Sequence, residues 1–595
     1  MPEFLSPGVY IEERPSGVTP ITGVSTSNFA GVGYTERGPS NTATLVTSLE
    51  QYLQTFGGYT KYSDLALAMT AFFNNGGLRA YIVRVVASDA VTAWKNLASL
   101  WKFSASSEGA WGNLLRVRIQ GNENYYDADT ATYSRFDVFV DEESADGEGD
   151  FSTQEQYEGL ILDDSEDKDY IVSVLNDQSA LVVAEDLGNG GIPTDLQSTQ
   201  YTDVALGTGD NIEQSFSASV SGMVEVAEDT FIVKVDSSQV AADDGDGVIS
   251  GTGVSGTIDY ETGDITLYFT TPPGSGAAIT ADFYKRGDDA VNTELENGSD
   301  GDPTSIGRSE ISDPGLSDDK HGIYAMDDVE EMFSLAVPDF SDDELISLDL
   351  ISYAELRKYA FAILDVPAGY TPQKALKYKR TTLGSLSNYA SIYYPKITIA
   401  DPLKDNRPRN ISCVGHVAGV FARTDTQQTV GKAPAGVNDG RLNFALGLER
   451  ELSRGEMDLI YPANVNPLYV STATGRVVWG ARTLQVVGDF TQINARRLFQ
   501  FLELSVFNQT HDVVFENVGA ELWSRIKMRV DGFFFALFQD GYFKGDSPDQ
   551  AYRIVVDQSN NPPAIQAQRM VIVDYYVAVN EPGEFLRHRF QRRFD

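Results

Sequence analysis

The chain has 595 residues, 42% apolar and 11% aromatic, enough for three or four domains with real cores, which excludes a disordered polyelectrolyte. A formal charge of −41 argues against a nucleic-acid partner, which calls for a basic face. Cys413 is the only cysteine, apolar runs stay short of the roughly 18 residues a membrane span needs, and the first residues lack a basic-then-apolar pattern; no disulfide scaffold, membrane insertion or signal peptide is expected.

In chain order, the first predicted element is a short strand at Val9, Tyr10 and Ile11, bounded by Pro7, Pro15 and Gly17. No hairpin return follows it, so its backbone groups lack a local partner. Ile21 to Tyr34 is rich in small and β-branched residues and reads as a strand broken by GPSN. SDLALAMTAFFNNGG reads as a helix: Ser63 is the expected N-cap, Leu65, Met69, Phe72 and Phe73 recur at helical spacing, and Gly76 takes the C′ position. LRAYIVRVV then returns as a strand, which is the grammar of an α/β layer. NLLRVRIQG and YSRFDVFVD read as two further strands.

Residues 201–284 change character. DTFIVKVD, GTIDYETGDITLYF and GAAITADFY are short alternating strands, with Ile265, Leu267 and Phe269 on one face and Thr266 and Tyr268 on the other, joined by the turn YETGD. The expectation is an inserted antiparallel β-sandwich. Residues 285–320, acidic and rich in Gly, Ser and Asp, read as a linker. From 321 the α/β pattern resumes, with Phe361 to Val366 as a buried parallel strand.

Two C-terminal helices are predicted. In INARRLFQFLELS the residues Leu498, Phe501, Leu502 and Ser505 form one stripe, with Arg496, Gln500 and Glu503 facing away. In ELWSRIKMRVDGFFFALF the stripe is Leu522, Ile526, Val530, Phe533, Phe534 and Leu537; Arg525 and Arg529 lie along one edge and Lys527 beyond the other. The strands AYRIVVD and MVIVDYYVAV follow, then a basic end, EFLRHRFQRRFD.

Catalytic patterns are missing. His321, His416, His511 and His588 are scattered, and HExxH, CxxC, Walker A and GxSxG motifs do not occur. GTGVSG, Gly251 to Gly256, matches GxGxxG, but a strand follows where dinucleotide binding needs a helix, so a glycine-rich turn is expected. DDGDG at Asp243 is a poor calcium loop: with Asp244 and Asp246 at the third and fifth positions, Ala242 takes the first and Gly253 the twelfth. An acidic turn is the better reading, and neither an enzyme, a cofactor nor a metal site is expected.

PGVYIEE, GVSTS, GVGYTERGPSN, FGGY and AFFNNGGLRAYIVRV, followed by AILDVP, YYP, VAGVFARTD with KAPA, VVWGARTL, INARRLFQFLELS, VFENVGAELWSRI and NEPGEF, resemble in order and rough spacing the tail sheath family of contractile tails, found in myophages, R-type pyocins and contractile injection systems. The resemblance covers most of 1–200 and 320–595; the insert lies outside it, and ISCVGH stands where the family often carries a Pro-Pro-Ser-Gly run. It implies an α+β multidomain fold: a core of mixed α/β layers, the inserted sandwich, and extended N- and C-terminal strand arms. On this reading residues 1–27 are a linking arm, 28–200 and 321–435 two parts of one α/β domain, 201–284 the insert, 285–320 the linker, 436–570 a tube-facing domain, and 571–595 a C-terminal strand and basic tail.

The same resemblance implies a structural subunit without an active site. Copies would form homo-hexameric rings in a helical stack around an inner tail tube protein, meeting baseplate and tail terminator proteins, and would contract to drive the tube through a target envelope. The location implied is the virion tail, or the sheath of an injection device, assembled in the host bacterial cytoplasm. The arms of such subunits complete sheets in their neighbours, which is β-augmentation; here the arm residues are Val9, Tyr10, Ile11 and Glu12, with Val571, Ile572, Val573, Tyr575 and Val577 as counterparts. Arg525, Lys527 and Arg529 are the tube-facing candidates. Two other classes stay open: an extracellular adhesin or surface-layer protein carrying the β insert, and an enzyme whose residues are scattered.

Overall fold

The segment Asn28–Gly33 is buried along its whole length and pairs in parallel with Arg79–Arg84 on one edge and Phe333–Ala336 on the other. A strand hidden on both faces and paired on both edges sits at the centre of a parallel sheet. The computed structural model, which describes residues 21–127, 131–144, 149–188, 191–220, 226–288, 290–472 and 475–584, divides into two compact units, residues 1–87 with 303–595 and residues 88–302. The predicted strand at Val9, Tyr10, Ile11 and Glu12 and the basic end from 585 onward lie outside the described residues.

In the first unit eight strands form one sheet, in the order Thr44–Val46, Arg79–Arg84, Asn28–Gly33, Phe333–Ala336, Ala360–Asp365, Ala390–Tyr394, Val465–Ser471, Gly475–Val478. The inner six run parallel and the two edges antiparallel. Side chains alternate between two cores: Val32, Leu335, Ala362 and Leu364 meet the Glu344–Arg357 helix, whereas Phe29, Ile82, Phe361 and Ile363 meet the Leu65–Asn74 and Val414–Gln427 helices. The sheet runs past residue 435, the expected end of this α/β part, because the strands at 465–471 and 475–478 complete it.

The stretch from Ile21 to Ser27 is not strand. It turns to the Ile493–Asn508 helix instead: Val24 N donates to Ser505 Oγ at 3.1 Å, and Arg497 donates to Thr26 O at 3.0 Å. The N-cap expected at Ser63 falls one residue later, at Asp64, although Ser63 Oγ still accepts from Leu65 N at 3.1 Å; Gly76 takes a left-handed φ of 101° just past the helix, as expected of C′.

The second unit holds a four-stranded antiparallel sheet, a three-stranded sheet and the Ile171–Gln178 helix around one core, and an eight-stranded antiparallel sheet spanning 199–285. Ala290–Glu294 pairs with Leu115–Gly121, so the stretch read as linker contains a strand; its apolar Val291 is buried where composition showed only acid and glycine. The insert is likewise not two stacked sheets. Its eight strands form one continuous sheet that curls until its end strands stand together, Gly207 lying against the ring of Phe216. One curled sheet buries Ile265, Leu267 and Phe269 in a single core without a second layer. The GTGVSG glycines turn one of its hairpins, where a Cβ on Gly251 would stand 2.0 Å from Val240 O. In DDGDG, Asp243 accepts from Asp229 N and Phe231 N, both at 2.9 Å, and Asp244 Oδ1 accepts from Asp246 N and Val248 N, both at 3.0 Å; these carboxylates build the turn.

Candidate assembly surface

The C-terminal part of the first unit is built on the Ala520–Gln539 helix, whose expected stripe, Leu522, Ile526, Val530, Phe533, Phe534 and Leu537, is buried throughout. It packs against Phe501 and Leu502 of the Ile493–Asn508 helix and against a small sheet, Tyr552–Val555 antiparallel to Asp574–Val577. Leu498, Phe501, Leu502 and Ser505, the expected stripe, are buried, and Arg496 and Gln500, expected to face away from that stripe, are buried as well. Gln500 Nε2 donates to Lys358 O and Ala360 O, each at 2.8 Å, and Arg496 lies over the rings of Tyr389 and Phe490 while pairing with Glu503 at 3.0 Å. This helix is therefore covered on two sides, and a polar residue on its second side serves as a backbone clamp.

The expected C-terminal strand covers Val571 to Val579; the observed strand is Asp574–Val577. It begins late because Ile572 spends its backbone on Asn561, donating to Oδ1 at 2.6 Å and accepting from Nδ2 at 2.8 Å. Tyr575 and Val577 pair across from Ile554 and Tyr552 of the same chain. Among the described residues no third strand joins this two-stranded sheet, although Phe543 bridges to Val579 just beyond it and Asn560 Nδ2 donates to Val555 O at 2.8 Å. Beside that sheet lies a groove of about 320 Å³ lined by Val513, Phe515, Leu522, Ile526, Val571 and Tyr575. Phe515 is fully exposed at its rim. Burial pushes the Tyr575 phenol up to about 12, so it stays neutral.

The three basic candidates separate. Arg529 is buried and holds Asp512 through two bonds of 2.7 and 2.9 Å. That hydrogen bonding raises the Arg529 pKa and lowers that of Asp512. Arg529 is thus withdrawn from the outer surface, because its guanidinium is saturated by a carboxylate that precedes the helix and lies far outside helical spacing. Arg525 is partly exposed and pairs with Glu516 at 3.2 Å, and Lys527 is exposed.

Sequence reasoning missed the anchor at Glu584. Its carboxylate accepts from Tyr461 Oη at 2.7 Å, Gln492 Nε2 at 2.9 Å and Arg482 Nε at 3.1 Å, with a further bond to the second Arg482 nitrogen. Burial acts to raise the Glu584 pKa, but these donors outweigh it and hold the group below the usual carboxylate range. The only signal was its place in NEPGEF. No group of three or more potential metal ligands occurs among the described residues, and no described helix is long and apolar enough to cross a membrane.

Comparison with known proteins gives one direction. Residues 320–484, which carry five of the eight strands of the large sheet, match the phage tail sheath protein central domain. The tail sheath protein of Vibrio phage KVP40 is 28% identical over 187 residues, 31% of this chain and 27% of that protein. The tail sheath protein of Enterobacteria phage T4 is 28% identical over 170 residues, 28% of this chain and 25% of that protein. The aligned region thus spans about a quarter of the length of these curated relatives. Among solved structures, the helical sheath of the anti-feeding prophage in its contracted state covers 99% of this chain and 100% of its own at a TM-score of 0.51 and 16% identity. A sheath tail protein from Listeria innocua covers 91% and 90% at a TM-score of 0.52 and 9% identity. These likenesses establish a sheath-like mixed helix and strand fold.

Proposed function

We propose that this chain is the structural subunit of a contractile tail sheath, and that the match of 320–484 to the sheath central domain carries the reading. That region supplies five consecutive strands of the large sheet, from its centre to one edge, so the resemblance concerns the main sheet of the first unit and not a peripheral module. Copies form hexameric rings stacked helically around an inner tail tube, between baseplate and tail terminator proteins, in a virion tail or an injection device put together in the host cytoplasm. Contraction of this lattice drives the tube through the target envelope. The likenesses reported above do not support the adhesin or surface-layer alternative.

The Tyr552–Val555 and Asp574–Val577 pair, which no third strand joins among the described residues, supports a linking role for the termini. Val9, Tyr10, Ile11 and Glu12 of one copy add to that sheet in another, their main-chain groups completing the ladder while apolar side chains enter the groove beside Val571, Val573 and Tyr575. Lys527, with Arg525, faces the tube. Contacts of this exposed kind contribute about 0–1 kcal/mol each, weak enough to release when the lattice moves.

Negative-stain microscopy of the purified chain tests the function: striated tubes are expected, whereas a flat lattice or discrete particles under all assembly conditions would overturn it. Deleting residues 1–20 tests the arm. The expected outcome is a folded protein that no longer polymerises; normal tubes from the deleted chain would remove the linking role and leave the sheath reading standing.

A further inference from the structure

The groove beside the Tyr552–Val555 and Asp574–Val577 sheet carries a strained aromatic at its rim. Phe515 takes a left-handed φ of 71°. A bulky side chain rarely adopts that conformation, and such strain persists where the surroundings enforce it. Phe444, the other aromatic residue with a left-handed φ among those described, shows what enforcement looks like. Its ring lies 6.2 Å from that of His416, and its carbonyl accepts from His416 Nε2 at 3.0 Å. Phe515 instead stands fully exposed, beside Val514, which is exposed as well. The next residue, Glu516, donates its N–H to Val513 O at 3.3 Å and pairs with Arg525 at 3.2 Å on the surface. Exposed pairs of this kind hold weakly. Four residues past Phe515, Gly519 has no described atom within 4 Å of where a Cβ would stand, so the segment is free to swing there. The groove itself measures about 320 Å³ and has apolar walls at Leu522, Ile526, Val571 and Val573. A ring in water beside an apolar groove of its own chain gains by entering it, and the move releases the backbone from its strained region.

We infer that Phe515 is a latch: in the unassembled chain its ring drops into the groove between Ile526, Val573 and Tyr575, and the form seen in the structure is the open one. Val514 and Phe515 already line the groove, so closure takes a rotation of the backbone about Phe515 and no rearrangement of the fold. The open form is strained at one residue and leaves one ring in water; the closed form has neither defect and gives up the surface pair of Glu516 with Arg525. The consequence for assembly rests on the reading of the terminal arm given above. Val9, Tyr10 and Ile11 of another copy enter the same groove, so they must first displace Phe515. The apparent affinity of the arm is then reduced by the fraction of chains whose latch stands open. A groove filled by its own ring also offers less apolar surface to wrong partners.

The test compares the full wild-type chain with Phe515→Ser and Phe515→Leu, circular dichroism melting showing that all three fold. Each is titrated with Nile red, a neutral dye that brightens in apolar grooves. The serine variant, its groove left empty, is expected to bind several-fold more dye than the wild type. The leucine variant, which keeps an apolar side chain to fill the groove, should stay near the wild type. Equal binding by the wild type and the serine variant, or more by the wild type, would show that the ring stays in water and would overturn the latch. A leucine variant as bright as the serine one would overturn it too, because apolar filling would not be what closes the groove. The effect on assembly is read as the time before striated tubes appear under negative stain, shorter for serine and unchanged for leucine; equal times for serine and the wild type would overturn the gating of assembly. Failure is separable from failure of the sheath reading: unequal dye binding with no tubes from any of the three chains keeps the latch and sinks the sheath, whereas tubes with equal dye binding keep the sheath and sink the latch.

Discussion

A half-buried carboxyl and a buried imidazole in the first unit pull its acid response in opposite directions. Burial pushes the Asp339 carboxyl up to about 6, despite hydrogen bonds from Asp64 N and Ser63 Oγ. Burial pulls His416 down to about 4; its Nε2 donates to Phe444 O and its Nδ1 has no partner to receive a second proton's bond. An acid whose folded pKa is raised stabilises the fold below its unfolded value, near 4, and that contribution is lost as pH rises through about 6. A histidine whose folded pKa is depressed contributes stability above about 6.5 that is lost as pH falls toward about 4. Between these limits the two nearly oppose each other. Melting temperature followed from about pH 7 down to about 4 should therefore drop more steeply in Asp339→Asn than in the wild type, and less steeply in His416→Gln, by amounts on the order of 1 kcal/mol. Parallel curves for all three proteins would show that neither group is linked to folding. Neither behaviour could be read from the sequence, where Asp339 opens the acidic stretch DFSDDE and His416 stands in apolar VGHVAG, and nothing announces which neighbour is a carbonyl, a hydroxyl or a charge.

At the scale of elements, the tightest junction is between the Leu65–Asn74 and Val414–Gln427 helices. Gly415 and Gly419 let them touch: a Cβ on Gly415 would stand 2.3 Å from Ala68 O, and one on Gly419 would stand 2.6 Å from Phe72 O. Gly415→Ala should therefore destabilise the protein by about 1–3 kcal/mol through overpacking, although alanine favours helix, and urea unfolding would register it. A neutral or stabilised variant would mean the helices part freely. The Ala520–Gln539 helix invites a different measurement. Reversing Arg525 and Lys527 to Glu should weaken binding to the proposed tube several-fold and in a salt-dependent way, whereas Arg529→Ala should cost stability by removing the two bonds to Asp512 and the one to Gln509 O. Unchanged tube binding in the double reversal would discard the tube-facing assignment. Elements of this kind were legible where one face was apolar: all six stripe residues of this helix were readable from period alone. The Ile493–Asn508 helix was only half legible, since Arg496 and Gln500 carry the periodicity of a solvated face and are buried by partners far away in sequence, Ala360 and Tyr389 among them.

For the whole molecule, the sequence disclosed the alternating α/β body and the β insert but not how strands return. Ala290–Glu294 hides in acidic, glycine-rich sequence because it is a short strand with one buried apolar anchor, Val291, and the strands at 465–478 join a sheet begun at Asn28. Long-range pairing of this sort leaves no local period to read. The same is true of the assembly surface: Val571 to Val579 stood out by composition, whereas the clamp at Glu584 is made by three donors from distant segments. Net charge, by contrast, is fully legible and has a consequence for assembly. Each copy carries −41, so copies brought together repel over about 30 Å at 0.01 M salt and over about 10 Å at 0.1 M. Main-chain pairing between terminal strands and a sheet edge depends little on salt, but the repulsion opposing it is screened. The polymerised fraction, measured by sedimentation, should therefore rise as salt is raised from about 0.01 M to about 0.15 M. A polymer fraction that falls with salt would mean that charge attraction, and not the pairing of strands, holds the copies together.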